Sequence, residues 1–166
     1  MSFWIVTDAC SDLPRDYILA QNKLMVIPMH YQADDSDMLL DLMSEDFEKN
    51  TLSFYDKMRG GASTKTAQIN QGTWEESVKD ILNAGEDVLI LAFSGGLSST
   101  AQQAILAAEE LSEQYPERKI YAVDTLCASM GEGLFVHYVL QYRDNGHNID
   151  DCRKWAEENN KNVRRS

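Results

Sequence analysis

Positive charge is scarce in this chain. Of its 166 residues, 15 are lysine or arginine against 27 aspartate or glutamate, a formal net charge of −12. So acidic a surface argues against nucleic acid or an anionic membrane as a partner. Cysteine is sparse as well: Cys10, Cys127 and Cys152 are odd in number and form no CxxC pair. That usage suits a reducing cytosol better than a disulfide framework. Long apolar runs are missing too, none approaching the ~20 residues that span a bilayer, so no integral membrane association is expected. The first 14 residues meet an aspartate too early for a signal peptide, and the expected location is cytoplasmic.

The usual catalytic signatures are also missing. His30, His137 and His147 do not cluster with cysteines or with one another at ligand spacing, so no metal site is expected. There is no GxGxxG. Lys65-Thr66 resembles the end of a P-loop, but Thr64 and Arg59 stand where glycines are needed, and the segment follows a helix. Ser94 is preceded by Ala92-Phe93, not by the start of GxSxG. No catalytic residue and no cofactor are assigned.

What is present is an ordinary globular composition, 43% hydrophobic and 9% aromatic. A chain this long can bury roughly 70% of its unfolded surface in one compact domain. Apolar runs at 3–6, 24–31, 88–91 (VLIL) and 119–123 (KIYAV) predict four strands, with Pro28 placing the second near an edge or a bend. Helices are expected over 14–21, capped by Asp12, and from Ser44 to the Gly60-Gly61 stop, in one piece or two. In the latter, Phe47, Leu52, Phe54, Tyr55 and Met58 are candidate core residues. A helix over 73–83 is capped by Thr73 and closed by Gly85. The next starts at the hydroxyls of 98–100 and sets Ala101, Ala104, Ile105, Ala108 and Leu111 on one face. The helix over 127–144 is apolar around most of its circumference, and Gly131 and Gly133 predict close packing. A polar helix over 149–160 follows. Residues 33–37 read as an acidic turn, 62–72 as a polar loop, and 38–43 as undecided. Alternating strands and helices predict an α/β fold, a parallel β-sheet of about four strands with helices on both faces.

In such sheets ligands sit beyond the carboxyl ends of the strands. The loops at 7–11, 94–98 and 124–127 lie there, and 64–70 can join them. They hold hydroxyls and backbone N–H groups but few bases, a setting for an anion or a polar head group. Ser94-Gly95-Gly96 can turn sharply and bring bare backbone to a ligand, and the helix start at Ser98 adds a positive dipole end. Each residue has a plainer reading. Ser94 and Ser98 serve as turn and cap residues, Thr66 as a loop residue, and Asp8 and Asp124 as loop-holding acceptors.

Four blocks, in order, are similar to the DegV family of bacterial fatty-acid-binding proteins. VTDACSDLP from Val6 resembles the family's VTDSxxDLP, and KTAQINQG from Lys65 its KTSQPSPG. SGGLSSTAQ from Ser94 resembles SSGLSGTYQ, and VDTLCASMGEG from Val123 resembles VDSxxASMGxG. The resemblance implies the N-terminal domain of a DegV-like two-domain fold, with a long-chain fatty acid in a tunnel. It implies Thr66 and Ser94, with the Gly95 and Gly96 amides, as carboxylate ligands, and Asp8, Ser98 and Asp124 in supporting loops. It also implies a partner, a fatty acid kinase related to dihydroxyacetone kinases, which phosphorylates the bound carboxylate while this protein acts as a lipid-binding module.

Departures fall at the head-group blocks. Ala67 and Asn70 replace two serines, Ile69 replaces a proline, and Gly95 stands where many members keep a serine. Residues 1–161 are expected to form the domain and 162–166 a linker-like tail, with the second domain absent. Two other readings stay open. One is a small enzyme acting on a phosphorylated or carboxylated metabolite, with Ser94 as nucleophile or the Ser98 helix start as phosphate clamp. The other is an interaction domain, favoured by the acidic surface alone.

Overall fold

A computed structural model describes residues 3–163. The chain opens with β1 (Trp4–Asp8), a 3-10 turn (Ala9–Ser11), α1 (Arg15–Ala20) and β2 (Leu24–Ile27). Next come β3 (Met29–Ala33), β4 (Ser36–Leu40), α2 (Phe47–Arg59), β5 (Thr64–Thr66) and α3 (Gln71–Asn83). It finishes with β6 (Val88–Ala92), α4 (Thr100–Gln114), β7 (Ile120–Asp124), α5 (Met130–Asp144) and α6 (Ile149–Val163).

The main sheet has four parallel strands in the order β2-β1-β6-β7. All five residues of β6 are buried, which is why this strand carries no charge. Alternate side chains enter opposite cores, as the two-residue period of a strand requires. Leu89 and Leu91 pack with Ile5, Phe135, Val139 and Cys152, beneath α1, α5 and α6. Val88, Ile90 and Ala92 pack with Trp74, Val78, Ala104 and Leu111 of α3 and α4. Each such aliphatic side chain contributes about 1.5–3 kcal/mol by leaving water. The expected α/β sheet of four parallel strands, with helices on both faces, is what forms. On α4, Ala101, Ala104, Ala108 and Leu111 are buried as their spacing predicts, and Ile105 is half-buried.

A second sheet has no counterpart in the sequence reading. It is antiparallel, of order β4-β3-β5. The stretch 24–31 is therefore not one strand: β2 ends at Ile27, and β3 leaves the parallel sheet after Pro28, which has no N–H to continue a ladder. The acidic turn narrows to Asp34-Asp35, where Asp34 adopts φ 51°, and the undecided stretch begins as the end of β4. The polar loop contains β5, pairing Thr66 with Tyr31.

Several local expectations are corrected. α2 is one helix and buries none of its residues; Leu52 and Tyr55 are 64% and 50% exposed. It touches the small sheet through Phe54, edge-on to Tyr31 with ring centroids 4.7 Å apart. Asp12 does not cap α1: it sits at φ 51° closing the 3-10 turn, and its carboxylate accepts from the Ser129 hydroxyl. Asn70, not Thr73, caps α3, its Oδ1 accepting from Thr73 N at 2.9 Å. α5 starts at Met130 instead of 127, because Leu126 and Ser129 both hold positive φ. α6 continues past 160 to Val163, and the last three residues of the expected tail lie outside the described residues.

Candidate functional site

The carboxyl ends of β1, β6 and β7 bring three loops together, and the small sheet lays Thr66 across from them. Between the loops after β1 and β6 and the segment carrying Thr66 lies an open cleft of about 890 Å³; the loop after β7 and Ser94, Gly95 and Gly96 are not among its lining residues. Its walls carry the hydroxyls of Thr66, Ser98 and Ser99 and the apolar side chains of Met29, Phe93 and Leu97. No charged residue lines it among the described residues. α4 begins at this wall and has no acidic residue in its first turn, so its positive dipole end is not neutralised locally. The Ser99 hydroxyl donates to Gln68 Oε1, and Gln71 N donates to Gln103 Oε1 at 3.1 Å, joining the two sides of the cleft.

Thr66 is exposed on edge strand β5, and its hydroxyl makes no hydrogen bond among the described residues. Ser98 lines the same cleft, with its Oγ 3.0 Å from Thr100 Oγ1 and accepting from Thr100 N at 3.2 Å. Ser94 lies below the wall and is buried. Its N–H donates to Cys127 O at 3.0 Å, and its Oγ accepts from Gly96 N at 3.3 Å. Gly95 N donates to Asp124 Oδ1 at 3.0 Å. The two glycine amides thus hold the loop's own shape, and a ligand that uses them must compete with Asp124 and the Ser94 hydroxyl.

The two aspartates act as acceptors that hold loops, one of the two readings open for them. Asp124 Oδ1 takes Leu126 N at 2.9 Å as well as Gly95 N. Asp8, fully buried, takes Cys10 N and Phe93 N, one on each oxygen, both at 3.0 Å. Burial pushes the Asp8 carboxyl above its usual range, and these N–H donors oppose the push.

Sequence reasoning missed Glu132. It points inward from the first turn of α5, fully buried, and accepts from Thr7 Oγ1 at 3.1 Å. Burial first, then the charge of Asp8, push its carboxyl up to about 10. The one signal in the sequence is an acid within the apolar stretch MGEGLFV. The Cys10 thiol on the cleft wall is also raised, by burial and then by Asp8, so it stays a neutral, poorly nucleophilic group.

Base chemistry finds little support. His30 pairs with Asp37 at 3.3 Å, His137 Nδ1 lies 2.7 Å from Tyr17 Oη, and His147 stacks on Tyr142. None of them lines the cleft. Among the described residues no group of three or more His, Cys, Asp or Glu could hold a metal ion, and no helix is long and apolar enough to cross a membrane. Another cleft of about 800 Å³ is lined by Asp12, Asp16, Glu45 and Glu48 with Arg15, a poor setting for an anion.

Fold and cleft define the class: an open parallel α/β domain with its candidate site at the carboxyl edge of the sheet. Residues 2–165 match the model of a family described as "Uncharacterised protein, DegV family", and the chain belongs to the DegV family. A DegV domain-containing protein of Clostridium perfringens is 36% identical over 159 residues, covering 95% of this chain and 53% of that protein. The chain thus spans about half the length of the curated relatives it matches. A DegV family protein from Thermus thermophilus, described by its fatty acid binding, superposes with a TM-score of 0.79 at 26% identity. The match covers 97% of this chain and 54% of that one. A DegV lipid binding protein from Thermotoga maritima gives a TM-score of 0.80, also at 26% identity, over 98% of this chain and 55% of that one.

Proposed function

We propose that this chain is part of a fatty-acid-binding protein that presents the carboxylate of a long-chain fatty acid to a partner fatty acid kinase. The observation that carries the reading is the cleft itself: uncharged, with hydroxyls beside apolar side chains, at the start of an undamped helix dipole. Such a lining suits an amphiphile with a small anionic head. Thr66 and Ser94, with the Gly95 and Gly96 amides, are the proposed head-group ligands; Asp8, Ser98 and Asp124 support the loops that carry them. Charge-assisted hydrogen bonds contribute about 1.5–3 kcal/mol each. Every buried CH₂ of the tail adds about 0.8 kcal/mol, so the tail supplies most of the affinity and the head group sets orientation.

The kinase partner rests on the four-block resemblance. Its reaction would move the γ-phosphoryl group of ATP onto a carboxylate oxygen, leaving ADP and an acyl phosphate. The chemistry belongs to the kinase and leaves this chain a binding role; a reaction that draws on ATP fits a cytoplasmic setting for both proteins. The domain of residues 1–161 would then act with a second domain, of the size that would complete the relatives' length.

The test is mass spectrometry of lipid co-purifying with this chain and with a polypeptide extended to the relatives' length. Fatty acid at a stoichiometric level in the extended form is the expected result. None at any level sinks the reading.

A further inference from the structure

Asp8 lies directly behind the cleft. The two residues whose N–H groups it accepts, Cys10 and Phe93, are both cleft walls, and Phe93 immediately precedes Ser94. One carboxylate therefore ties the loop after β1 to the loop after β6. α5 brings a second carboxyl to the same place. Glu132 is fully buried, its Oε1 takes the Thr7 hydroxyl, and its Oε2 has no hydrogen-bond partner among the described residues.

The Asp8 and Glu132 carboxyls lie within side-chain hydrogen-bonding reach of each other, a bond that forms only if one of them carries a proton. Two buried carboxyls so placed do not both ionise. The donors decide which one keeps the charge. Asp8 has a backbone N–H on each oxygen, whereas Glu132 has one hydroxyl. The charged groups acting on Glu132 are Asp8 on β1 and Asp12 in the loop that follows, both acidic, and Cys10 faces Asp8 as a neutral thiol. Burial and the two acids favour the protonated form of Glu132, and only the Thr7 hydroxyl opposes them.

We infer that Glu132 is a positioning residue that works as the neutral acid, seating the ionised Asp8 and through it fixing both loops that wall the cleft. A glutamate in this role couples α5 to the cleft without touching a ligand. The inference deepens the fatty-acid reading, on which its functional meaning rests, but its test uses no ligand and stands or falls separately.

The test compares the native chain with Glu132→Gln, which keeps the shape of the neutral acid. Glu132 holds its proton up to about pH 10 when folded and loses it in the usual glutamate range when unfolded. Between those limits the folded state binds the extra proton, so native stability falls as pH rises. The ratio of folding constants, Glu132→Gln over native, should rise about tenfold per pH unit between about pH 6 and 9 in urea unfolding. A ratio that does not move with pH overturns the neutral-acid assignment. Amide hydrogen exchange then reads the positioning. At neutral pH the Gln variant should keep native protection at Cys10 and Phe93, and Glu132→Ala should lose at least about tenfold there while Ile90 stays protected. Unchanged protection in Glu132→Ala, or an equal loss at all three amides, overturns it. Should Glu132→Ala not fold, Asp8→Asn replaces one acceptor oxygen with a donor. It should expose Cys10 or Phe93 selectively, and a uniform or absent effect counts against the inference.

Discussion

Gly95 N donates to Asp124 Oδ1 at 3.0 Å, and a Cβ on Gly95 would stand 2.5 Å from Asp124 Oδ2. The turn after β6 is closed on a carboxylate at the end of β7, and the fit leaves no room for a side chain. The same Oδ1 takes Leu126 N, which helps hold that residue at φ 55°. Gly95→Ser should therefore push Asp124 aside and release both hydrogen bonds at once, costing about 1–3 kcal/mol. Asp124→Ala removes the same bonds by another route. In urea unfolding the double variant should fall well short of the sum of the single ones, because both lose one interaction. Strict additivity would mean that the two residues are not linked in this way.

Thr66 and Ser94 separate binding from stability. Thr66 is exposed with an unbonded hydroxyl, so Thr66→Val should change stability by less than about 0.5 kcal/mol. If its hydroxyl meets a carboxylate, fatty-acid affinity should drop about tenfold or more. Ser94→Ala removes the acceptor for Gly96 N and should cost about 1 kcal/mol of stability as well as affinity. Isothermal titration with oleate on the extended polypeptide, beside urea melts, reads both quantities. Native affinity in both variants would move the head group elsewhere.

These loops were legible because they follow from the main sheet. An uncharged VLIL run could be little but a doubly buried strand, and the rule that ligands gather at carboxyl ends selected the loops after it. The small sheet was illegible because its strands carry no pattern of their own. β5 is Thr-Lys-Thr, and β3 is joined to β2 through a proline that suits a bend within one strand equally well. α2 misled in the opposite direction: it has the apolar spacing of a core helix but only a narrow sheet beneath it. Glu132 escaped notice because its neighbours Thr7 and Asp8 come from the far end of the chain, and no local spacing announces such a meeting.

Gly131 and Gly133 looked alike in the sequence, and the structure separates them. A Cβ on Gly133 would run into the backbone oxygen of Ser11 and touch Leu13 Cδ2 at 3.2 Å. Backbone cannot yield cheaply, so Gly133→Ala should destabilise by about 1–3 kcal/mol and shift the 3-10 turn beside Asp8. A Cβ on Gly131 meets Cys127 Cβ at an easy 3.9 Å. Gly131→Ala should be neutral, or stabilising by up to about 1 kcal/mol through helix propensity. Thermal melts of the two variants check the contrast, and equal losses would contradict it.

At the other end of α5, Arg143 anchors the helix far from the cleft. Its side chain is 4% exposed and donates to three backbone carbonyls, Asn22 O at 2.7 Å, Lys23 O at 3.1 Å and Phe3 O at 3.4 Å. Nε pairs with Asp144 at 2.9 Å. The planar fork reaches all of these at once, which an ammonium group cannot do. Arg143→Ala takes a donor from each of the three carbonyls, of which Lys23 O keeps Ile5 N, and should cost about 3 kcal/mol. Arg143→Lys should recover only part of that. Because the contacts sit at the amino ends of β1 and β2, opposite the loops, folded Arg143→Lys should keep native amide protection at Phe93 while losing it near Lys23. Hydrogen exchange resolved by residue decides the point, and loss at Phe93 of the same size would show that α5 moves as one body.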